Sequence, residues 1–153
     1  MSISIEVCQE YLQLFSDIQE VCRCIYTTLG KGHQESIYQN ALCIELSERH
    51  IPYTKEVEMD VTYKDRKIGT IRADIVCYGE LPLIIETKST WQIRKKDMLQ
   101  LGKYMRSMDI EYGVLVNFSF NELEIDFFLI VEYKDNDVLV RYNPETRAGY
   151  IIR

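Results

Sequence analysis

Two β-strand patterns, Ile68 to Tyr78 and Leu83 to Lys88, constrain this chain more than any other stretch. β-Branched residues crowd both runs, and Gly79-Glu80-Leu81-Pro82 separates them, so they read as consecutive strands joined by a turn. Side chains alternate along a strand, which gives Arg72, Asp74 and Val76 one face and Ile71, Ala73, Ile75 and Cys77 the other. On the second strand Ile84, Glu86 and Lys88 share a face, opposite Leu83, Ile85 and Thr87. Two carboxylates and an ammonium therefore converge where the strands lie side by side.

A carboxylate against an apolar core either recruits a cation or raises its pKa to stay neutral. One reading of the cluster is a strand-end salt bridge between Lys88 and one acid, with the other solvated. The other is a divalent-metal site, since hard cations such as Mg²⁺ take one or two carboxylates, with waters and substrate phosphate completing the shell. Lys88 would then hold the attacking water and offset charge on the phosphate in flight.

Asp74, followed after eleven residues by Glu86-Thr87-Lys88, resembles the core signature of the PD-(D/E)XK nuclease superfamily. Upstream, Gly32-His33-Gln34-Glu35-Ser36-Ile37-Tyr38 is similar to the G-x-x-E-x-x-Y motif of the GxxExxY family within it. Downstream, Gln100-Leu101-Gly102-Lys103-Tyr104 resembles the Q-x-x-x-Y motif of the RecB and lambda exonuclease branch. The three motifs stand in the expected order over roughly half the chain, although Ala73 replaces the proline of the superfamily's name. The resemblance implies an αβββαβ core of restriction-endonuclease type, a mixed central sheet flanked by helices. It also implies metal-dependent phosphodiester hydrolysis, with Asp74, Glu86 and the carbonyl of Thr87 holding Mg²⁺ or Mn²⁺. Lys88 would be catalytic, Glu35 an outer carboxylate, and Gln100 and Tyr104 would orient these groups or hold substrate.

Length and charge bound that expectation. At 153 residues, 46% of them hydrophobic, the chain suits one domain, residues 1–153, with a single packed core. Neither a membrane span nor a signal-peptide profile is present, which points to a soluble intracellular protein. Five cysteines without a C-x-x-C pair, and two histidines apart from them, argue for reduced thiols and against a zinc site. The net charge of −6 disfavours a strong nonspecific binder of nucleic acid. Against that background Arg94, Lys95, Lys96, Lys103 and Arg106 fall within thirteen residues containing one acid, Asp97, which gives a local basic face. Arg94, Lys95, Lys96 and Lys103 are the expected contacts to a nucleic-acid backbone. No G-x-G-x-x-G supports a dinucleotide enzyme, and Gly30-Lys31-Gly32 lacks the earlier glycine of a phosphate loop.

Along the chain, Val7, Tyr11, Leu14, Ile18, Val21, Ile25 and Leu29 predict one helix from Ile5 to Leu29. A second helix, Gln34 to Arg49, has two apolar stripes, Ile37/Ala41/Ile44 and Tyr38/Leu42/Leu46 with Glu35, and so is expected to be covered on two sides. Glu35 either faces the metal site or simply favours the helix macrodipole. Lys55 to Tyr63 alternates as a strand with one wet face and turns at Lys64-Asp65-Arg66-Lys67, whose charges serve solubility or touch a backbone. Ser89-Thr90-Trp91-Gln92 reads as a linker before a helix from Ile93 to Met108, packed through Met98, Leu101, Met105 and Met108. Gln100 and Tyr104 are either a surface pair or part of a cleft wall. Trp91, the only tryptophan, either stacks on a base or plugs the domain edge. Tyr112 to Phe118, Glu124 to Tyr133 and Val138 to Tyr142 are further strands, with a short edge at Gly149 to Arg153.

The combined expectation is an α/β domain that hydrolyses nucleic-acid phosphodiesters, most plausibly DNA, without a membrane partner. A homodimer would let so small a domain reach both strands, although no segment declares itself an interface. The competing class is a catalytically silent module that kept the fold to bind nucleic acid or protein.

Overall fold

The computed structural model describes residues 2–153. In chain order the elements are β1 (Ser2–Ser4), α1 (Gln9–Leu29), α2 (Glu35–Glu48), β2 (Tyr53–Tyr63), β3 (Arg66–Cys77) and β4 (Leu83–Lys88). They continue with α3 (Lys95–Met108), β5 (Tyr112–Phe118), β6 (Leu123–Tyr133), β7 (Asn136–Tyr142) and β8 (Ala148–Ile151). All the strands form one sheet in the order β1-β8-β7-β6-β5-β4-β3-β2. Every neighbouring pair is antiparallel except β4 and β5, which run parallel because α3 carries the chain back across the sheet between them. This is the restriction-endonuclease-like α/β architecture, a mixed sheet with helices on both faces.

Strand alternation divides the core. Ile75, Cys77, Leu83, Ile85, Val114 and Val116 pack with α1 and α2, whereas Val76, Ile84, Leu115 and Phe128 pack with Leu101, Tyr104 and Met105 of α3. The apolar stripe of α1 is buried from Tyr11 to Ile25, as its spacing predicts. β4 and β5 are buried almost throughout, because they lie mid-sheet under helices on both sides. Among the described residues no helix is long and apolar enough to cross a membrane.

Four readings of the local structure are corrected. The first helix starts at Gln9 rather than Ile5: Ser2–Ser4 pairs with Tyr150–Ala148 of β8, and the Ile5 N–H donates to the Arg147 carbonyl at 3.4 Å. Ile3, Ile5 and Val7 carry a period-two pattern that the longer helical stripe overshadowed. Gly149 permits this crossing, since a Cβ there would stand 2.3 Å from Ile5 Cδ1. β8 is consequently not the sheet edge; β1 lies outside it.

Next, α2 is buried on one side only. Tyr38, Gln39, Leu42, Cys43 and Leu46 face the sheet, while Ile37 and Ile44 are exposed. Lastly, the alternation of β3 changes phase at Asp74. Ala73 and Ile71 pack on the α3 side, Ile75 and Cys77 on the α1/α2 side. The β2–β3 register passes from Lys55↔Ile75 to Val57↔Ala73 with no regular pair between them, and Glu56 there has φ +54. A left-handed residue in the partner strand is the local distortion that turns the ribbon over.

Candidate active site at the fork between β3 and β4

β3 pairs with β4 only over Ile75–Cys77, then leaves it to continue as a long hairpin with β2. Where the strands part, side chains replace the backbone ladder. The Asp74 N–H donates to Glu86 Oε1 at 2.7 Å, and Asp74 Oδ2 accepts from the Thr87 N–H at 2.9 Å and from the Thr87 hydroxyl at 3.1 Å. The two acids are thus locked to each other's strand, which fixes both carboxylates at the fork. Backbone groups left unpaired by a diverging strand must be satisfied somehow, and here the acids of the motif do it.

The electrostatics are unusual for a strand interior. Glu86 is 4% exposed, and burial pushes its carboxyl up to about 8, reinforced by the charges of Asp74 and Glu35. The Asp74 N–H and Lys88 pull the other way without compensating. Glu35, at the first turn of α2, is raised by burial and then by Asp74 and Asp97, with Lys88 opposing. Tyr104 is buried on α3, and its hydroxyl is raised by burial and by Glu86 and Asp74, with Arg72 opposing. Mutual influence places Asp74, Glu86, Glu35, Lys88 and Tyr104 in one neighbourhood.

Lys88 does not close the strand-end bridge to Asp74 or Glu86. Its ammonium lies 3.4 Å from Gln100 Oε1 and 4.0 Å from Asp97 Oδ1, both on α3. Gln100 is exposed and reaches the site through Lys88. Asp97 also accepts the Arg94 N–H at 2.9 Å, so it caps the helix while facing the lysine. Sequence reasoning counted it only as the acid in a basic run.

The Gly-x-x-Glu-x-x-Tyr segment is explained residue by residue. Gly32 has φ +91, a conformation natural to glycine, and turns the chain into α2. Tyr38, fully buried and stacked on Phe118 at 4.4 Å between ring centres, donates its hydroxyl to the Gly30 carbonyl at 2.6 Å and accepts from the His33 N–H at 3.3 Å. The tyrosine pins the turn from which Glu35 enters the site.

Two positioning groups escaped the sequence reading. Gln39, one helical turn beyond Glu35 and buried, donates to the Asp74 carbonyl at 3.1 Å. Its signal was a polar residue in the buried sector of α2. The stretch 89–92 is no loose linker either. The Thr90 N–H donates to Asn117 Oδ1 at 2.9 Å, Asn117 Nδ2 donates back to the Thr90 carbonyl at 3.2 Å, and Glu124 holds that amide at 2.9 Å. Asn117 was legible as the one polar residue in the apolar run YGVLVNF.

The basic residues are not gathered on one face. Arg94, Lys95, Lys96 and Lys103 are all exposed; Lys96 and Lys103 share the stripe of Gln100, but Lys95 lines a groove with Met98, Arg141 and Ile152 on another side of the helix.

These donors suit a hard divalent cation. Glu86 is a buried carboxylate beside two others, with a shortage of neighbouring positive charge, and its oxygens are the ligand type that Mg²⁺ and Mn²⁺ prefer. Among the described residues no group of three or more His, Cys, Asp or Glu is arranged to enclose a metal alone. Two carboxylates and a main-chain carbonyl would form an open site that water and a phosphate complete.

Comparisons with known proteins bear on the fold and the family. Among solved structures the chain is similar to one titled "Crystal structure of SSO0001", with a TM-score of 0.50 and 21% identity over 61% of this chain. The likeness concerns the fold, and the chain spans about half that protein, 48% of its length. No curated protein matches the chain. A family model described as the PD-(D/E)XK nuclease superfamily matches residues 12–128, a span that takes in α2, the fork, α3 and β5. The chain belongs to the PD-(D/E)XK nuclease superfamily.

Proposed function

We propose that residues 1–153 act as one nuclease domain that hydrolyses nucleic-acid phosphodiester bonds, DNA foremost, with Mg²⁺ or Mn²⁺. The observation that carries this reading is the buried Glu86 carboxylate, pushed up to about 8 with Asp74 and Glu35 as like-charged neighbours. A fold keeps such an arrangement at a cost in stability, and cation binding gives it a use. Asp74, Glu86 and the Thr87 carbonyl would hold the metal, which when bound supplies Lewis-acid activation of water and stabilises charge on the phosphate.

The chain's own residues do the rest. Lys88, paired with Asp97 of α3 at 4.0 Å rather than bridged to Asp74 or Glu86, offers its ammonium to the attacking water and to charge developing on the phosphoryl oxygens. Gln100 holds the lysine's approach at 3.4 Å, and Tyr104 sets a hydroxyl beside the acids. Glu35, presented by the Gly32 turn and the Tyr38 clamp, adds the outer carboxylate, and this construction supports placing the chain with the GxxExxY proteins. Arg94, Lys96 and Lys103 would meet the backbone of the bound strand, and Lys95 a flanking segment.

The test is cleavage of labelled single-stranded, duplex and branched DNA with Mg²⁺, Mn²⁺ or EDTA, comparing wild type with Lys88→Ala and Asp74→Ala. Metal-dependent cutting lost in both variants is the expected result. Absence of cutting by wild type, together with no calorimetric signal for divalent metal, would sink the reading in favour of a silent binding module.

A further inference from the structure

Three loops meet beyond the ends of β4 and β5, next to the site: 30–34 before α2, 89–94 after Lys88, and 119–122 after β5. They are tied to one another. The Ser89 hydroxyl donates to the His33 carbonyl at 2.9 Å, the Ser119 hydroxyl to the Trp91 carbonyl at 2.8 Å, and the Lys31 ammonium to the Asn121 carbonyl at 2.7 Å. The Tyr26 hydroxyl donates to the Ser119 carbonyl from α1, and Asn117 and Thr90 clasp each other's amide groups. Asn117 and Ser119 are fully withdrawn from solvent, so this frame is built into the fold.

Two large aromatic residues stand on that frame facing water. Trp91 is 67% exposed and Phe120 53% exposed. Exposure on this scale removes the reading of Trp91 as a plug for the domain edge. Each residue is attached to a different side of the site. Trp91 follows Lys88 by three positions, and a Cβ on Gly32 would touch Phe120 Cε1 at 3.5 Å, at the turn that delivers Glu35. Other exposed apolar residues, such as Ile37 and Ile44 on the back of α2 and Tyr63 and Ile68 near the hairpin tip, stand on elements that carry none of the three motifs' site residues at those faces. Trp91 and Phe120 are held instead on one hydrogen-bonded frame next to the motif residues.

We infer that Trp91 and Phe120 form a stacking platform for unpaired bases, so that the site accepts single-stranded or frayed nucleic acid in preference to continuous duplex. The inference rests on the nuclease reading for its place beside the reacting phosphate. Aromatic faces take any base, because every base has a π-face, but a base inside a duplex is already stacked on both sides. The charge of the chain points the same way. At a net charge of −6 phosphate neutralisation, which single strands need nearly as much as duplex, is weak, so binding has to draw on contacts to the bases, and base faces are open only in unpaired strands. A platform held in place before binding also avoids the cost of ordering loops.

Trp91 is the only tryptophan, so its fluorescence reports on the platform directly. In EDTA, where nothing is cut, the protein is titrated with short oligothymidylate, oligouridylate, an abasic oligonucleotide of equal length and charge, and a blunt duplex. The expected result is saturable quenching by oligothymidylate or oligouridylate, with at least about tenfold weaker binding of the abasic strand. Phe120→Ala should weaken binding of the base-bearing strand about 5- to 150-fold and leave the abasic strand's affinity unchanged. Circular dichroism and melting of Phe120→Ala confirm that this exposed substitution leaves the fold intact. Equal binding of abasic and base-bearing strands, tighter binding of blunt duplex, or no effect of Phe120→Ala would overturn the inference. Cleavage separates it from the nuclease reading. Duplex cutting with a silent Trp91 removes the platform and keeps the nuclease, whereas quenching without cutting in Mg²⁺ does the reverse.

Discussion

Glu86 and Asp126 lie in one cross-strand row, on either side of Leu115, and both are carboxylates drawn partly or wholly out of water. Burial raises both, yet their neighbours differ. Asp126 faces Arg141, which pulls it back down, with Glu124 opposing. Glu86 faces Asp74 and Glu35, and the pull of Lys88 is smaller than the push of Asp74. Asp126 lies just past the end of an unbroken β6–β7 ladder, whereas on the β3 side of Glu86 the ladder has come apart and the acids themselves bridge the gap. A buried acid with its counter-charge is part of a sheet. A buried acid among other acids, at a fork, is the setting that supports the proposed cation site.

The largest expected effect breaks the comparison if it fails. Lys88→Ala should lower metal-dependent cleavage by roughly 10²- to 10³-fold, the loss typical of removing one charge-stabilising group. Glu86→Gln should be comparably damaging, and Asp126→Asn should leave the rate unchanged. A similar loss from Asp126→Asn, measured as single-turnover cleavage, would show that burial of a carboxylate, not the company it keeps, marks the functional position.

Stability against pH supplies the next test. In metal-free protein the Glu86 carboxyl, at about 8, sits above its ordinary value of 4.5, so the native state binds a proton more readily than the unfolded chain. That contribution is fully present below about 4.5 and is lost as pH rises through about 8. Glu86→Gln carries no such proton. The variant and wild type should therefore melt alike near pH 4 in EDTA, and by pH 9 the variant should be more stable by several kcal/mol, on the order of 5. Mg²⁺ should narrow that gap by supplying the missing charge to wild type. An equal pH dependence of the two proteins in EDTA would contradict the buried, like-charged setting.

The sequence displayed the chemistry of this row more readily than its geometry. Asp74, Glu86 and Lys88 were visible because acids and a lysine interrupt strands otherwise made of Ile, Val and Leu, and alternation alone puts Glu86 and Lys88 on one face. The fork was invisible, since it arises from where β3 stops pairing with β4, and from a left-handed Glu56 that no local pattern announces. The exposure of Ile37 and Ile44 was equally hidden. A helix with two apolar stripes is ambiguous until the sheet that covers one of them is known, and tertiary contact made that choice. Gln39 and Asn117 lay between: each was a polar residue in an apolar sector, but which carbonyl it serves depends on residues far away in the chain.

A smaller effect tests how the fork obtains its third acid. Tyr38→Phe keeps the ring stacked on Phe118 and removes a hydroxyl that serves both the Gly30 carbonyl and the His33 N–H. Leaving those groups unsatisfied should cost about 1 to 3 kcal/mol of stability, read by urea unfolding. Because the same turn presents Glu35, cleavage should fall as well, although less than in Lys88→Ala. Full activity in a destabilised Tyr38→Phe would mean that Glu35 does not depend on the clamp, and the site would reduce to the two strands.

The smallest effect sharpens the comparison from the other side. Arg141→Met removes the counter-charge of Asp126 and so gives that carboxyl a neighbourhood closer to that of Glu86. Its pKa must rise further. Arg141 is itself exposed, however, so water screens the interaction, and such pairs contribute about 0.2 to 1 kcal/mol. The rise should accordingly be small, and it is measurable by NMR titration of the Asp126 carboxyl. A larger rise would mean that Asp126 occupies ground as dry as Glu86 and that a single arginine separates an ordinary strand position from a candidate metal ligand. A small one leaves the difference where the structure puts it, in the parting of β3 from β4 and the acids gathered there.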